Sequence, residues 1–200
     1  GQVIMPYIGV LKGSKLEHLL ADYGVEQVEA EAYYDQQIVC NMQEQIVKEA
    51  GLFSGELISI GKESIEAIGF PDEVQTIEDA MGMLHTIYQA IHQGIPEEEG
   101  WVYEWIDDAT IHIKFNAPYE QFAAYGYIYG IAQKFSPQDK VASVYMEDDT
   151  DDGPLHHNGG VGKVSPLLNL NALSVMNKSH NPISYRLTAA VEPIRNSVIA

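Results

Sequence analysis

The chain has 200 residues, 46% hydrophobic and 10% aromatic, and its 29 Asp and Glu against 11 Lys and Arg give a formal net charge of −18. About 70% of the unfolded surface of a chain this long is buried on folding, enough for a core without staples. The charge argues against nucleic acid and anionic membrane as partners, since phosphate backbones are held by clustered Lys and Arg, and a single cysteine, Cys40, rules out an intrachain disulfide framework or a Cys-rich zinc site.

In chain order, Val3–Leu11 is apolar with Pro6 and Gly9 and reads as an opening segment or short strand. Ser14 can cap a short helix carrying Leu16, Leu19 and Leu20 and ended by Gly24. Val25–Tyr34 is ambiguous. Asp35 caps a helix with Ile38, Val39, Met42, Ile46 and Val47 on one stripe, closed by Gly51. Ser54 starts a helix with Leu57, Ile58, Gly61 and Ile65 on one face. Thr76 caps the clearest helix, with Ile77, Met81, Leu84, Tyr88 and Ile91 in one apolar stripe, stopped by Gly94 and Pro96. Trp101, Tyr103 and Trp105 then alternate in an aromatic strand that pairs through an Asp107-Asp108 turn with Thr110–Phe115. Tyr119–Phe135 reads as a helix buried through Phe122, Tyr125, Ile128 or Tyr129, Ala132 and Phe135. Gly126 and Gly130 on it form a close-packing face. Val141–Met146 and Pro182–Ala190 supply two more strands.

This order predicts an α+β single domain: helices followed by a mostly antiparallel sheet of about four strands, with one long helix inserted. Its core is expected at roughly residues 30–190. Residues 1–152 carry −21 and the remainder +3. The run Glu147–Asp152 repels itself, so residues 148–163 read as an exposed acidic and Gly-rich loop, and residues 192–200 as a tail. Neither a signal peptide nor an apolar stretch of the roughly 20 residues a membrane span needs is evident. The expected location is cytoplasmic, without membrane insertion.

The candidate site is aromatic. The aromatic group Trp101, Tyr103, Trp105, Phe115, Tyr119, Phe122, Tyr125, Tyr127 and Tyr129 puts too many Tyr in 119–129 for all to be core, so some should line a cavity or an interface; the candidate ligand-binding rings are Tyr88, Trp101, Trp105, Phe115, Tyr119, Phe122 and Tyr125. His85 and His92 lie two helical turns apart beside the Tyr88 stripe. His92 is the candidate ligand-facing imidazole, weighed against a boundary histidine bonded to a carbonyl or water, which is the favoured reading. No catalytic constellation stands out, and no metal site is predicted. The acidic loop fails the EF-hand pattern because Gly159 stands where a bidentate Glu is required. Asn158–Lys163 lacks the register of a phosphate-binding loop. Cys40 reads as packed.

Asn116-Ala117-Pro118-Tyr119 followed by Phe122, Tyr125-Gly126 and Tyr129-Gly130, with Gly55, Ile58, Gly61-Lys62 and Tyr88, His92-Gln93-Gly94 before it, resembles 4-vinyl-reductase-type domains. Their wider superfamily includes haem–nitric-oxide-binding sensor domains and the small subunits of the TRAPP transport complex. The resemblance covers roughly residues 30–190. It implies a ligand cavity between helices and sheet, a homodimer, and use in sensing or scaffolding. Many such domains carry cysteines near the C-terminal strands, where this chain has none, and it lacks the Tyr-x-Ser-x-Arg signature of the haem-binding relatives. The reading is therefore a non-enzymatic sensor or regulatory domain that binds a small apolar or aromatic ligand through Tyr88, His92 and the six other candidate rings. The alternatives are a ligand-free structural or adaptor dimerisation module and a haem-based gas sensor. The sequence names no cofactor.

Overall fold

Side-chain caps open two of the long helices. A computed structural model describes residues 1–51, 55–136, 141–147 and 183–190. Its helices are α1 (Met5–Leu11), α2 (His18–Asp22), α3 (Gln36–Ala50), α4 (Gly55–Ala67), α5 (Ile77–Ile91) and α6 (Gln121–Phe135), and its strands are β1 (Gly100–Asp107), β2 (Thr110–Asn116), β3 (Val141–Glu147) and β4 (Ile183–Ala190). The Asp35 carboxylate accepts from the Gln37 N–H at 2.9 Å to open α3. At α5 the Thr76 hydroxyl accepts from the Asp79 N–H at 3.1 Å, and the Asp79 carboxylate accepts from the Thr76 N–H at 3.0 Å. That reciprocal pair satisfies two of the N–H groups a helix start leaves without partners. Past the other end of α5, Gly94 takes a φ of 72°, open to glycine at little cost.

Two elements depart from the sequence reading. Val3–Leu11 is not a strand but leads into α1. Its Pro6 lies in the first turn, where a missing N–H costs nothing, and its Ile4, Tyr7 and Leu11 are buried. Helix α6 begins at Gln121 rather than Tyr119, because Glu120 is extended and Tyr119 remains in the connection from β2. The Ser54 cap, the 148–163 loop and the 192–200 tail lie outside the described residues.

The fold is α+β, with the four strands in the order β1-β2-β4-β3 and every neighbouring pair antiparallel. The register sets Trp101 opposite Phe115, and Ile113 and Met146 opposite Tyr185, in one inward row. That row packs with Met81, Leu84 and Tyr88 of α5 and Ala124, Ile128 and Ile131 of α6. A second cluster gathers Ile4, Tyr7 and Leu11 of α1, Leu19 and Leu20 of α2, Val39, Met42 and Ile46 of α3, and Leu57 and Ile60 of α4 around Phe122 and Ala123. Residues 3–25 thus contribute buried side chains, although they precede the expected 30–190 core.

Helices α4 and α6 join the two clusters backbone to backbone. A methyl group on Gly61 would overlap the Ala123 carbonyl oxygen, and one on Gly126 the Ile58 carbonyl oxygen; Gly130 meets the Ile65 side chain. We predict that Gly61→Ala and Gly126→Ala each lower stability by about 1–3 kcal/mol or more, the overpacking cost outweighing alanine's better helix propensity. Gly82→Ala is the control. Its new methyl meets only the end of the Tyr103 side chain at 3.4 Å, and it should stabilise by roughly 0.5–1 kcal/mol. Urea unfolding midpoints check both.

Candidate functional site

A cavity of about 400 Å³ opens between the two clusters, a size within the range of small-molecule sites. Its walls come from Met5, Pro6 and Tyr7 of α1, Gln43 of α3, Ser64 and Ala67 of α4 with Ile68 and Gly69 just past its end, and Leu84, Ile87, Tyr88 and Ile91 of α5. Trp101, Phe115, Tyr119, Ala123, Ala124 and Tyr127 complete the lining, with His92. Among the described lining residues none is Lys, Arg, Asp or Glu. Of its lining residues, Gln2, Met5, Ala67 and Gly69 are exposed.

The polar focus is His92, the residue that caps the C-terminus of α5. Its Nδ1 lies 2.8 Å from the Tyr88 carbonyl oxygen, and its Nε2 lies 2.6 Å from the Tyr119 hydroxyl. A carbonyl only accepts, so Nδ1 carries the proton, Nε2 keeps its lone pair, and the Tyr119 hydroxyl donates to it. Burial lowers the His92 pKa, with the Tyr88 carbonyl and the Glu99 charge opposing it, which favours this neutral form. The ring stacks on Tyr88, centroids 4.1 Å apart, and Tyr88 stands edge-on to Phe115 and Tyr119. The Tyr88 hydroxyl donates to Glu99 at 2.5 Å. Gln89 adds a bond to the Glu99 carbonyl at 2.7 Å, so the segment before β1 is tied to α5. Trp101 follows directly and stacks on Phe115 at 4.0 Å.

Helix α3 closes the other side through two glutamines. Gln36 Nε2 donates to the Tyr119 hydroxyl at 3.3 Å. Gln43 is buried; its Nε2 donates to the Tyr7 hydroxyl at 2.5 Å, and its Oε1 accepts from the Glu120 N–H at 2.8 Å. Burial pushes the Tyr7, Tyr119 and Tyr127 phenols upward, which keeps them as neutral hydrogen-bonding groups. Cys40, half-buried on the same helix, is likewise pushed up by burial, to about 11, the range of an unreactive thiol.

Of the residues proposed from sequence, the structure brings Tyr88, His92, Trp101, Phe115 and Tyr119 together at the cavity. The other three lie elsewhere. Trp105 is 43% exposed near the end of the β1–β2 hairpin, beyond the reach of the helices. Phe122 points into the second cluster. Tyr125 turns toward β3, its hydroxyl on the Val144 carbonyl at 3.4 Å. Sequence reading missed Tyr7, Gln43 and Ser64. A signal for Gln43 existed: it is a polar residue beside Met42 and Ile46 on the buried stripe of α3, a place that demands a partner. His85 lies on α5 with its Nδ1 buried and without a hydrogen-bond partner, against Gly100 rather than in the cavity lining. Among the described residues no group of three or more His, Cys, Asp and Glu is placed to hold a metal ion, and no helix is long and apolar enough to cross a membrane.

The fold is that of H-NOX domains. A variant H-NOX of T. tengcongensis superposes with a TM-score of 0.61 at 12% identity, over 96% of this chain and 97% of that one. An Fe(II) unliganded H-NOX mutant from K. algicida gives 0.61 at 9% identity, over 97% of both chains. An oxygen-binding H-NOX domain related to soluble guanylate cyclases, in its oxygen complex, gives 0.57 at 13% identity, over 97% and 96%. No protein-family model and no curated protein matches the sequence. At such identities the likeness defines the H-NOX-like fold, in line with the haem–nitric-oxide-binding superfamily that the motifs resemble.

The glutamine clamp gives a stability prediction. Gln43→Ala removes two hydrogen bonds at a buried position and opens a small void, and should cost roughly 2–4 kcal/mol in denaturant unfolding. Gln37→Ala, on the exposed side of the same helix, should stay within about 0.5 kcal/mol of the parent.

Proposed function

We propose that the chain is a sensor module whose cavity binds haem, with His92 as the axial ligand. The carrying observation is the His92 ring itself. Its Nδ1–H is fixed by a backbone carbonyl, and its Nε2 lone pair is held unprotonated at a cavity wall, accepting from the Tyr119 hydroxyl. That is the form in which imidazole binds a metal, with the second nitrogen orienting the ring. The fold supports the reading, since the solved H-NOX structures include an oxygen complex, an Fe(II) protein and a study of haem redox potential set by porphyrin distortion.

The residues fit the group in one further respect. The walls offer the flat aromatic and aliphatic surface a porphyrin needs, from Trp101, Phe115, Tyr88, Leu84 and Ile91. The described lining holds no Lys or Arg to pair with the haem carboxylates, which would have to stay hydrated. When bound, haem would supply an iron centre able to take a small gas, and His92 would be the residue that holds it. The chain's own part is to hold the imidazole in one tautomer and to keep bulk water from the buried aromatic walls. This places the haem-based sensor ahead of the general apolar-ligand sensor, of which it is a specific case.

Reconstitution tests it. The purified protein mixed with ferric protoporphyrin IX should give a saturable, one-to-one Soret band, and His92→Ala should weaken binding at least tenfold or shift the band. A band of free haem in both proteins, or one unaltered in His92→Ala, contradicts the assignment.

A further inference from the structure

We propose that Tyr119 is a latch on His92 that lowers the affinity of ligands bound through the imidazole, and that α3 is coupled to its release. The inference rests on the haem reading of the cavity. The Nε2 atom has one lone pair, and the Tyr119 hydroxyl occupies it at 2.6 Å. Any ligand that claims the imidazole must first break that bond. A ligand offering only another hydrogen-bond donor exchanges one such bond for an equal one and gains nothing, whereas a metal centre forms a stronger bond to nitrogen. The latch therefore lowers the affinity of any ligand bound through the imidazole by about the worth of one hydrogen bond, and only a stronger bond, such as one to a metal, outweighs it.

Tyr119 is also tied on its far side. Gln36 donates to the same hydroxyl at 3.3 Å, and Gln43 holds the N–H of the next residue, Glu120, at 2.8 Å. Gln36 and Gln43 are seven residues apart, two turns of α3, and share one side of it. The segment they grip lies between Pro118 and the first residue of α6, so Tyr119 can swing without unwinding that helix. When Tyr119 leaves His92, Gln36 loses the geometry of its acceptor while Gln43 stays anchored on Tyr7. Occupancy of the cavity is thereby felt first at the N-terminal half of α3, more than a helix away from the imidazole in sequence.

The test uses the full chain, Tyr119→Phe and Gln36→Ala, with two probes: ferric protoporphyrin IX and metal-free protoporphyrin IX. Affinities come from quenching of tryptophan fluorescence, and α3 is followed by hydrogen exchange. Tyr119→Phe should bind the iron porphyrin about three- to tenfold more tightly, the worth of one hydrogen bond, and leave the metal-free porphyrin unchanged. Exchange over residues 36–42 should rise in the parent on iron-porphyrin binding, and should already be raised in both ligand-free variants. An equal gain for the two porphyrins would mean that the hydroxyl merely occupies space and would overturn the latch. Unchanged α3 exchange in the loaded parent and in ligand-free Tyr119→Phe would overturn the coupling. If neither porphyrin binds any of the proteins, the haem reading fails and the latch's effect on affinity with it, while ligand-free exchange still decides whether Tyr119 holds α3.

Discussion

The end of α5 leaves a carbonyl without a helical partner, and the site is built on the side chain that answers it. The last four C=O groups of any helix lack N–H donors from the chain that follows. Here the chain turns extended at His92, and the imidazole bends back to satisfy the Tyr88 carbonyl with Nδ1. That single bond fixes the tautomer, and hence which nitrogen faces the cavity. It also lays the ring on Tyr88, whose own hydroxyl is held by Glu99. Local helix termination thus produces a fixed nitrogen acceptor with no dedicated scaffold.

The cavity survives because its walls are held apart by elements that cannot collapse into it. Backbone contact between α4 and α6 at Gly61 and Gly126 fixes the spacing of those helices, and the inward row of the sheet fixes the aromatic floor. Polar groups at the rim are spent on one another. Gln43 serves Tyr7 and Glu120, and Gln36 and His92 share Tyr119. A buried polar group left alone would cost more than it returns, so these side chains satisfy one another in a network along the cavity wall. Those pairs are also what a ligand has to displace.

The fold was legible where periodicity and capping coincide. Thr76 and the Ile77–Ile91 stripe, Asp35 with its α3 stripe, and the Trp101–Phe115 hairpin all announced themselves, because each buries one face and satisfies its own end. Helix α1 did not, since Pro6 argues against a helix unless it is known to sit in the first turn. Residue types picked out Tyr88, His92, Trp101, Phe115 and Tyr119, but nothing local separates them from Trp105, Phe122 and Tyr125. That separation depends on which way β1 overhangs the helices and which face of α6 meets the sheet. His92 read as a boundary histidine bonded to a carbonyl, and it is bonded to one. What the sequence could not show is that its other nitrogen lies on a cavity wall, 27 residues from the tyrosine it meets.

The central claim is the state of one ring, and it can be read directly in the ligand-free protein. Long-range proton–nitrogen NMR of histidine-labelled protein, with His92 assigned by substitution, reports which nitrogen bears the proton. The account predicts a neutral ring with Nδ1 protonated and Nε2 as a hydrogen-bonded acceptor, and loss of the Nε2 signal when iron porphyrin is added. A ring protonated at Nε2, or an Nε2 resonance indifferent to iron porphyrin, would contradict it.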